Sequence, residues 1–176
     1  MGRPGQVNNC CAQWNGLRIS GVTGRSLKQW EVYVEMIKER TSFTVGEEAT
    51  LTRIISDDDI KTFARISSDD NPVHVNDDYA KGTMFKGRIA HGMLVAGLIS
   101  AVLGTMLPGP GAIYLSQQLR FRAPVRPGDQ VTASAKVTEW DPEKGRVTLS
   151  TEVKNQEGID VISGEARLVM SSYLKK

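Results

Sequence analysis

Two short stretches of this chain hold residue types able to move protons: Asp69-Asp70-Asn71-Pro72-Val73-His74 and Ala90-His91-Gly92-Met93. A carboxylate and an imidazole form a general acid/base pair, able to deprotonate a water and return a proton nearby. Histidine titrates near neutrality, which suits that work. On a continuous helix the spacing of Asp69 and His74 would splay the two side chains. Pro72 disfavours helical backbone at Asn71, so a turned, extended loop is expected, with both side chains converging on one cavity. Taken alone, the same residues also fit a carboxylate at a helix end and a hydrogen-bonded loop histidine. In the second stretch, Gly92 opens a long apolar run and so stands where a helix leaves backbone N–H groups unpaired. Glycine lets a ligand approach that backbone closely. Such an end can hold a developing oxyanion, or it can simply be capped. Ser100, two turns further on, is either a serine bonded back to its own helix or a partner for the Asp69 carboxylate.

The element that must position these groups is the run itself, His91 to Leu107 (HGMLVAGLISAVLGTML). Apart from Ser100, Thr105 and its glycines, every residue after His91 is apolar, so no face is left for water. Such a helix either spans a membrane or is swallowed by its own domain. At roughly 24 Å it falls short of the ~30 Å hydrocarbon core, and Pro108-Gly109-Pro110-Gly111 stops it. It is therefore expected to be buried in a globular domain.

Upstream, a strand is expected from Ala49. Ser56 then reads as an N-cap with Asp59 at the capping-box position. Ile60, Phe63, Ala64 and Ser67 give a short helix one buried face, and it ends near Ser68. Residues 77–84 suggest a further helical turn or two, closed by Gly82. Downstream the apolar period changes to two. Ile113 to Phe121, Val131 to Val137, Val147 to Val153 and Ile162 to Met170 alternate, with turns at Pro127-Gly128-Asp129, Asp141 to Gly145 and Asn155 to Gly158. Short connections and clean alternation mean antiparallel strands with one buried face. The fold class is α+β: an antiparallel sheet wrapped around a long central buried helix.

The bulk numbers exclude several classes. The chain has 176 residues, about one domain, with 40% hydrophobic and 24% charged residues. A net charge of +2, with no basic run or basic stripe interleaved with aromatics, gives no footprint for nucleic acid. Cys10 and Cys11 are neighbours, which rarely bridge, and His74 and His91 are the two histidines of the sequence. No metal-ligand spacing exists, so neither metal nor cofactor is expected. Residues 1–40 form a leader whose first acidic residue is Glu31, preceded by Arg3, Arg18, Arg25 and Lys28. That leader reads as disordered or outside the native folded unit, or else as a loose transit peptide. Residues 41–176 form the domain. The expected location is cytoplasmic, or the mitochondrial matrix if the leader is a transit peptide.

Taken together and in order, Asp69-x-Asn71-Pro72-x-His74, His91-Gly92-Met93 and LSQQLRFRAPVRPGD (115–129) resemble the MaoC-like (R)-specific enoyl-thioester hydratases, which are hot-dog folds. The similarity covers roughly residues 43–170. It implies that Asp69 and His74 are the catalytic acid/base pair and that Asn71 belongs to the same loop. It also makes the Gly92 N–H an oxyanion donor and Ser100 a support for Asp69. The implied reaction is reversible hydration of a 2-enoyl thioester, carried by CoA or acyl carrier protein, to the (R)-3-hydroxyacyl thioester. A homodimer is implied as well, with sheets meeting edge to edge. Two rivals remain: an acyl-thioesterase on the same fold, and a non-catalytic acyl-thioester binding protein.

Overall fold

The computed structural model describes residues 39–174. The leader expected over residues 1–40 lies outside the described residues, but for its last two. Five strands, β1 (Glu48–Ile54), β2 (Ala112–Phe121), β3 (Gln130–Asp141), β4 (Arg146–Asn155) and β5 (Asp160–Met170), build one sheet. Its order is β1-β3-β4-β5-β2, with every neighbouring pair antiparallel. Four helices accompany it: α1 (Asp57–Ser67), α2 (Pro72–Val75), α3 (Asp77–Gly82) and α4 (Gly92–Thr105). The sheet packs against α4, with β3 across it and β1, β4 and β2 alongside. This is the hot-dog arrangement.

Alternation explains the core. Val131, Ala133, Ala135 and Val137 on β3 point at α4, as do Val147, Leu149 and Val153 on β4, and all are buried. Ile162, Ala166, Leu168 and Met170 on β5 complete that face. From the helix come Val95, Ile99, Val102 and Leu103, also buried. The small alanines on β3 leave room for a helix to lie close. Upstream, α1 starts as expected: Asp59 N donates to Ser56 Oγ (3.0 Å), and Ser56 N donates back to Asp59 Oδ2 (2.9 Å). Ser68, left-handed at φ 61°, ends it.

Three expectations need correction. Pro72 does not create an extended loop. It occupies the first position of the one-turn helix α2, where its fixed φ suits the helix, and Asn71 caps that turn by accepting from Val73 N (3.2 Å). Nor is α4 closed to water all round. Met93 is 58% exposed, and Gly97, Ser100 and Gly104 are exposed with it. These four recur along one helical face, a narrow stripe that beyond Met93 carries only two glycines and a serine. Finally, the alternation of β2 covers one face only in part: β2 is an edge strand with a register irregularity between Tyr114 and Ser116, and Leu119 and Ala112 pack against the core. Ile113, Tyr114, Leu115 and Phe121 are all exposed there. Beside the irregularity, any side chain on Gly164 would collide with the Gln118 carbonyl oxygen. Among the described residues, no helix is long and apolar enough to cross a membrane.

Candidate active site

Asp69 follows the end of α1, His74 lies on α2, and His91 is the N-cap residue of α4. One ligand atom from each of the three comes within 4.8 Å of the others. His74 is 9% exposed, and its Nδ1 lies 2.8 Å from the Ile89 carbonyl oxygen. A carbonyl can only accept, so Nδ1 carries a proton, and Nε2 is the nitrogen whose lone pair is available in the neutral tautomer. The segment supplying that carbonyl is itself tied down: Ile89 N donates to Val73 O (3.4 Å) and Ala90 N to Val125 O (2.7 Å). Asp69 is exposed, and its Oδ1 accepts from Asn71 N at 3.4 Å.

These residues open onto a cavity of about 450 Å³, also lined by Phe85, Gly92, Phe121 and Val161. An apolar cleft with a few convergent polar groups is the usual form of a small-molecule site. Gly92 is the first residue of α4, and His91 makes no side-chain cap bond there. The first-turn N–H groups are therefore not claimed by the N-cap side chain and stand at the positive end of the helix dipole. A Cβ on Gly92 would come within 2.7 Å of Phe121 Cε1, so glycine is what lets that ring pack against the helix start.

The structure thus brings Asp69, His74 and Gly92 to one cavity. Asn71 is in the same loop, where its side chain caps α2. Ser100 makes no hydrogen bond to Asp69 among the described residues, where the bonds of Asp69 are to Ser67, Asn71 and His91. The serine lies on the exposed stripe of α4, and eight residues of helix separate it from Gly92 by about 12 Å. The sequence reading assigned no role to His91, which is 2% exposed and donates Nε2–H to the Asp69 carbonyl at 2.9 Å. Its ring stacks on His74, with centroids 3.9 Å apart and planes inclined by 32°. A histidine directly before a helix-opening glycine was the available signal. The Asp69–His74–His91 group suits a cation poorly. The outer nitrogens His74 Nδ1 and His91 Nε2 are held by carbonyls, and in-plane lone pairs of stacked rings do not converge at roughly 2.0–2.1 Å from one ion.

Arg88 fastens this corner. Its Nη1 donates to Asp57 Oδ1 (2.6 Å) at the start of α1, and its Nε to Asp77 Oδ1 (2.9 Å) at the start of α3. Lys61, then Arg88, hold the Asp57 carboxyl below its ordinary value of 3.8. A depressed carboxylate contributes stability that is fully present above its unfolded-state value and lost as pH falls through the folded one. Arg88→Met is therefore expected to lower Tm by roughly 3–6 °C near neutrality. Thermal melts across a pH series should show this gap narrowing below about pH 4.

Comparison with known proteins agrees with this geometry. The family model described as a MaoC like domain matches residues 38–159. The chain is 56% identical over 138 residues to an (R)-specific enoyl-CoA hydratase of Rhodospirillum rubrum, covering 78% of this chain and 91% of that protein. It is 49% identical over 122 residues to a 3-hydroxybutyryl-CoA dehydratase of Methylorubrum extorquens, covering 69% and 77%. Among solved structures, the (R)-hydratase from A. caviae superposes with a TM-score of 0.71 at 41% identity, over 73% of this chain and 98% of that one. The family match spans the four helices that carry the site and strands β1 to β4, and by it this chain belongs to the family of MaoC-like proteins.

Proposed function

We propose that this protein is a hydro-lyase that reversibly adds water to 2-enoyl thioesters, giving (R)-3-hydroxyacyl thioesters. The observation that carries this reading is the meeting of Asp69, His74 and the Gly92 end of α4 on one largely apolar cavity. The thioester carbonyl oxygen accepts from the Gly92 N–H. Water donates one hydrogen to His74 Nε2 and the other to the Asp69 carboxylate, which leaves an oxygen lone pair free for C3. As the C3–O bond forms, His74 takes one proton and the C2=C3 electrons move toward the carbonyl. The resulting enolate oxygen is held at the helix start, where a fixed donor acts against developing charge. The acid/base pair then gives one proton to C2, so no net proton is gained or lost. Dehydration is the same path reversed.

A thioesterase on this fold would send water to the carbonyl carbon instead, and a binding protein would turn nothing over. Crotonyl-CoA separates the three. The expected result is loss of the enoyl absorbance with no free thiol. Thiol release assigns a thioesterase, and tight binding without turnover assigns a binder.

The domain acting here is residues 41–176, preceded by the leader. The exposed stripe of α4 and the edge strand β2 support a homodimer, since sheet edges and small-residue faces of this kind are normally covered. Light scattering is expected to report twice the chain mass, and a stable, active monomer would overturn the dimer. A cytoplasmic location fits a substrate carried on CoA or acyl carrier protein.

A further inference from the structure

We propose that His91 is a positioning residue for the acid/base pair, acting by fixing the main chain of Asp69 and backing the ring of His74. The inference rests on the hydratase reading above. Three observations converge on it. His91 Nε2 donates to the Asp69 carbonyl at 2.9 Å, so the backbone that aims the carboxylate is tied to the start of α4. The His91 ring lies 3.9 Å from that of His74, and Phe63 packs on it at 5.0 Å. His91 Nδ1 is buried and has no hydrogen-bond partner among the described residues.

The third observation gives the arrangement its logic. A buried nitrogen without a partner is costly and calls for an explanation. Nε2–H is committed to the Asp69 carbonyl, which leaves Nδ1 as the buried nitrogen of the ring with no hydrogen-bond partner among the described residues. A residue serving only to fill space there would be apolar, with no orphaned nitrogen. One serving only to cap α4 would bond a first-turn N–H, and His91 makes no such bond. What the imidazole does supply is a flat face for His74 together with a donor, at its edge, for Asp69. Asp69 is otherwise exposed and lies just past the end of α1. Without this tether, the segment aiming the carboxylate is held by Asp69 N donating to Ser67 Oγ at 3.2 Å and by the 3.4 Å contact from Asn71 N.

Two substitutions separate the donor from the ring. His91→Phe keeps a ring against His74 and deletes the donor. His91→Gln keeps an N–H donor and deletes the ring. With the donor gone, kcat for crotonyl-CoA is expected to fall on the order of 100-fold, as a misplaced reacting group typically costs. KM should stay within about two-fold, because the cavity walls are unchanged, and His91→Gln should recover at least about ten-fold of the loss. Melting curves establish that each variant is folded. If the phenylalanine variant does not fold, the glutamine variant decides alone, with kcat within about ten-fold of wild type expected. The proposal is overturned if His91→Phe keeps wild-type kcat, or if both variants lose kcat and KM in step. His74→Gln is measured alongside. If wild type itself does not hydrate crotonyl-CoA, the hydratase reading has failed; if His74→Gln is inactive while His91→Phe is fully active, the role of His91 alone has failed.

Discussion

Asp69→Asn and His74→Gln are each expected to lower kcat for crotonyl-CoA hydration by about 10²–10⁴-fold, the usual contribution of a positioned acid or base. Asparagine keeps the shape of aspartate and an oxygen able to accept from Asn71 N, so the loss reports the carboxylate's charge and basicity. Glutamine at position 74 can still donate toward the Ile89 carbonyl, which alanine would leave buried and unpaired. His74→Ala therefore combines a chemical loss with a structural one, and the glutamine variant isolates the chemistry. Because the two side chains hold one water between them, the double variant should be scarcely worse than either single variant. Progress curves followed at the enoyl absorbance give all four rates. Folded single variants with wild-type kcat would remove both residues from the mechanism.

The second large effect concerns an atom that no side-chain change can delete. Proline at position 92 removes the N–H, and the first turn of a helix tolerates proline. Any Cβ there meets the Phe121 ring, however, so the comparison is made after that ring is removed. In a Phe121→Ala background, Gly92→Ala adds a Cβ and keeps the N–H, whereas Gly92→Pro adds one and loses the N–H. The ratio of their kcat values is expected to be on the order of 10²–10³, the cost of deleting one oxyanion donor. Equal rates would mean that the thioester oxygen is held elsewhere.

Much of this architecture was legible in the residues because each signal had a local cause. Ser56 and Asp59 form a capping box from their own side chains, so a four-residue stretch of sequence specified where α1 begins. The strands β3, β4 and β5 read cleanly because their buried face meets α4 inside the same chain. Where the outcome depends on what covers a face, polarity alone misled. Gly97 and Gly104 read as part of an apolar run, yet a glycine has no side chain to bury, and the stripe they share with Ser100 is open. Ile113 and Leu115 alternate as a strand should, but both are exposed on this edge strand, where Ala112 and Leu119 pack against the core.

At the site, Asp69, His74 and Gly92 were candidates by residue type and spacing, with roles implied by resemblance, and the structure brings them to one cavity. Ser100 was given a place beside Asp69 by resemblance, and in the structure it lies on the exposed stripe of α4. His91 was quoted in a motif but given no task, since nothing in its spacing reveals a ring stacked on His74.

One detail of that site bears on how the protein can vary. The group that chooses which nitrogen of His74 is basic is the peptide oxygen of residue 89. Every amino acid brings the same oxygen, so drift in the identity of Ile89 leaves the reactive nitrogen untouched. Lengthening or shortening the chain between Val75 and His91 is another matter, because it would slide a different peptide unit past the ring. Tolerance there should be high for exchanges and low for insertions and deletions.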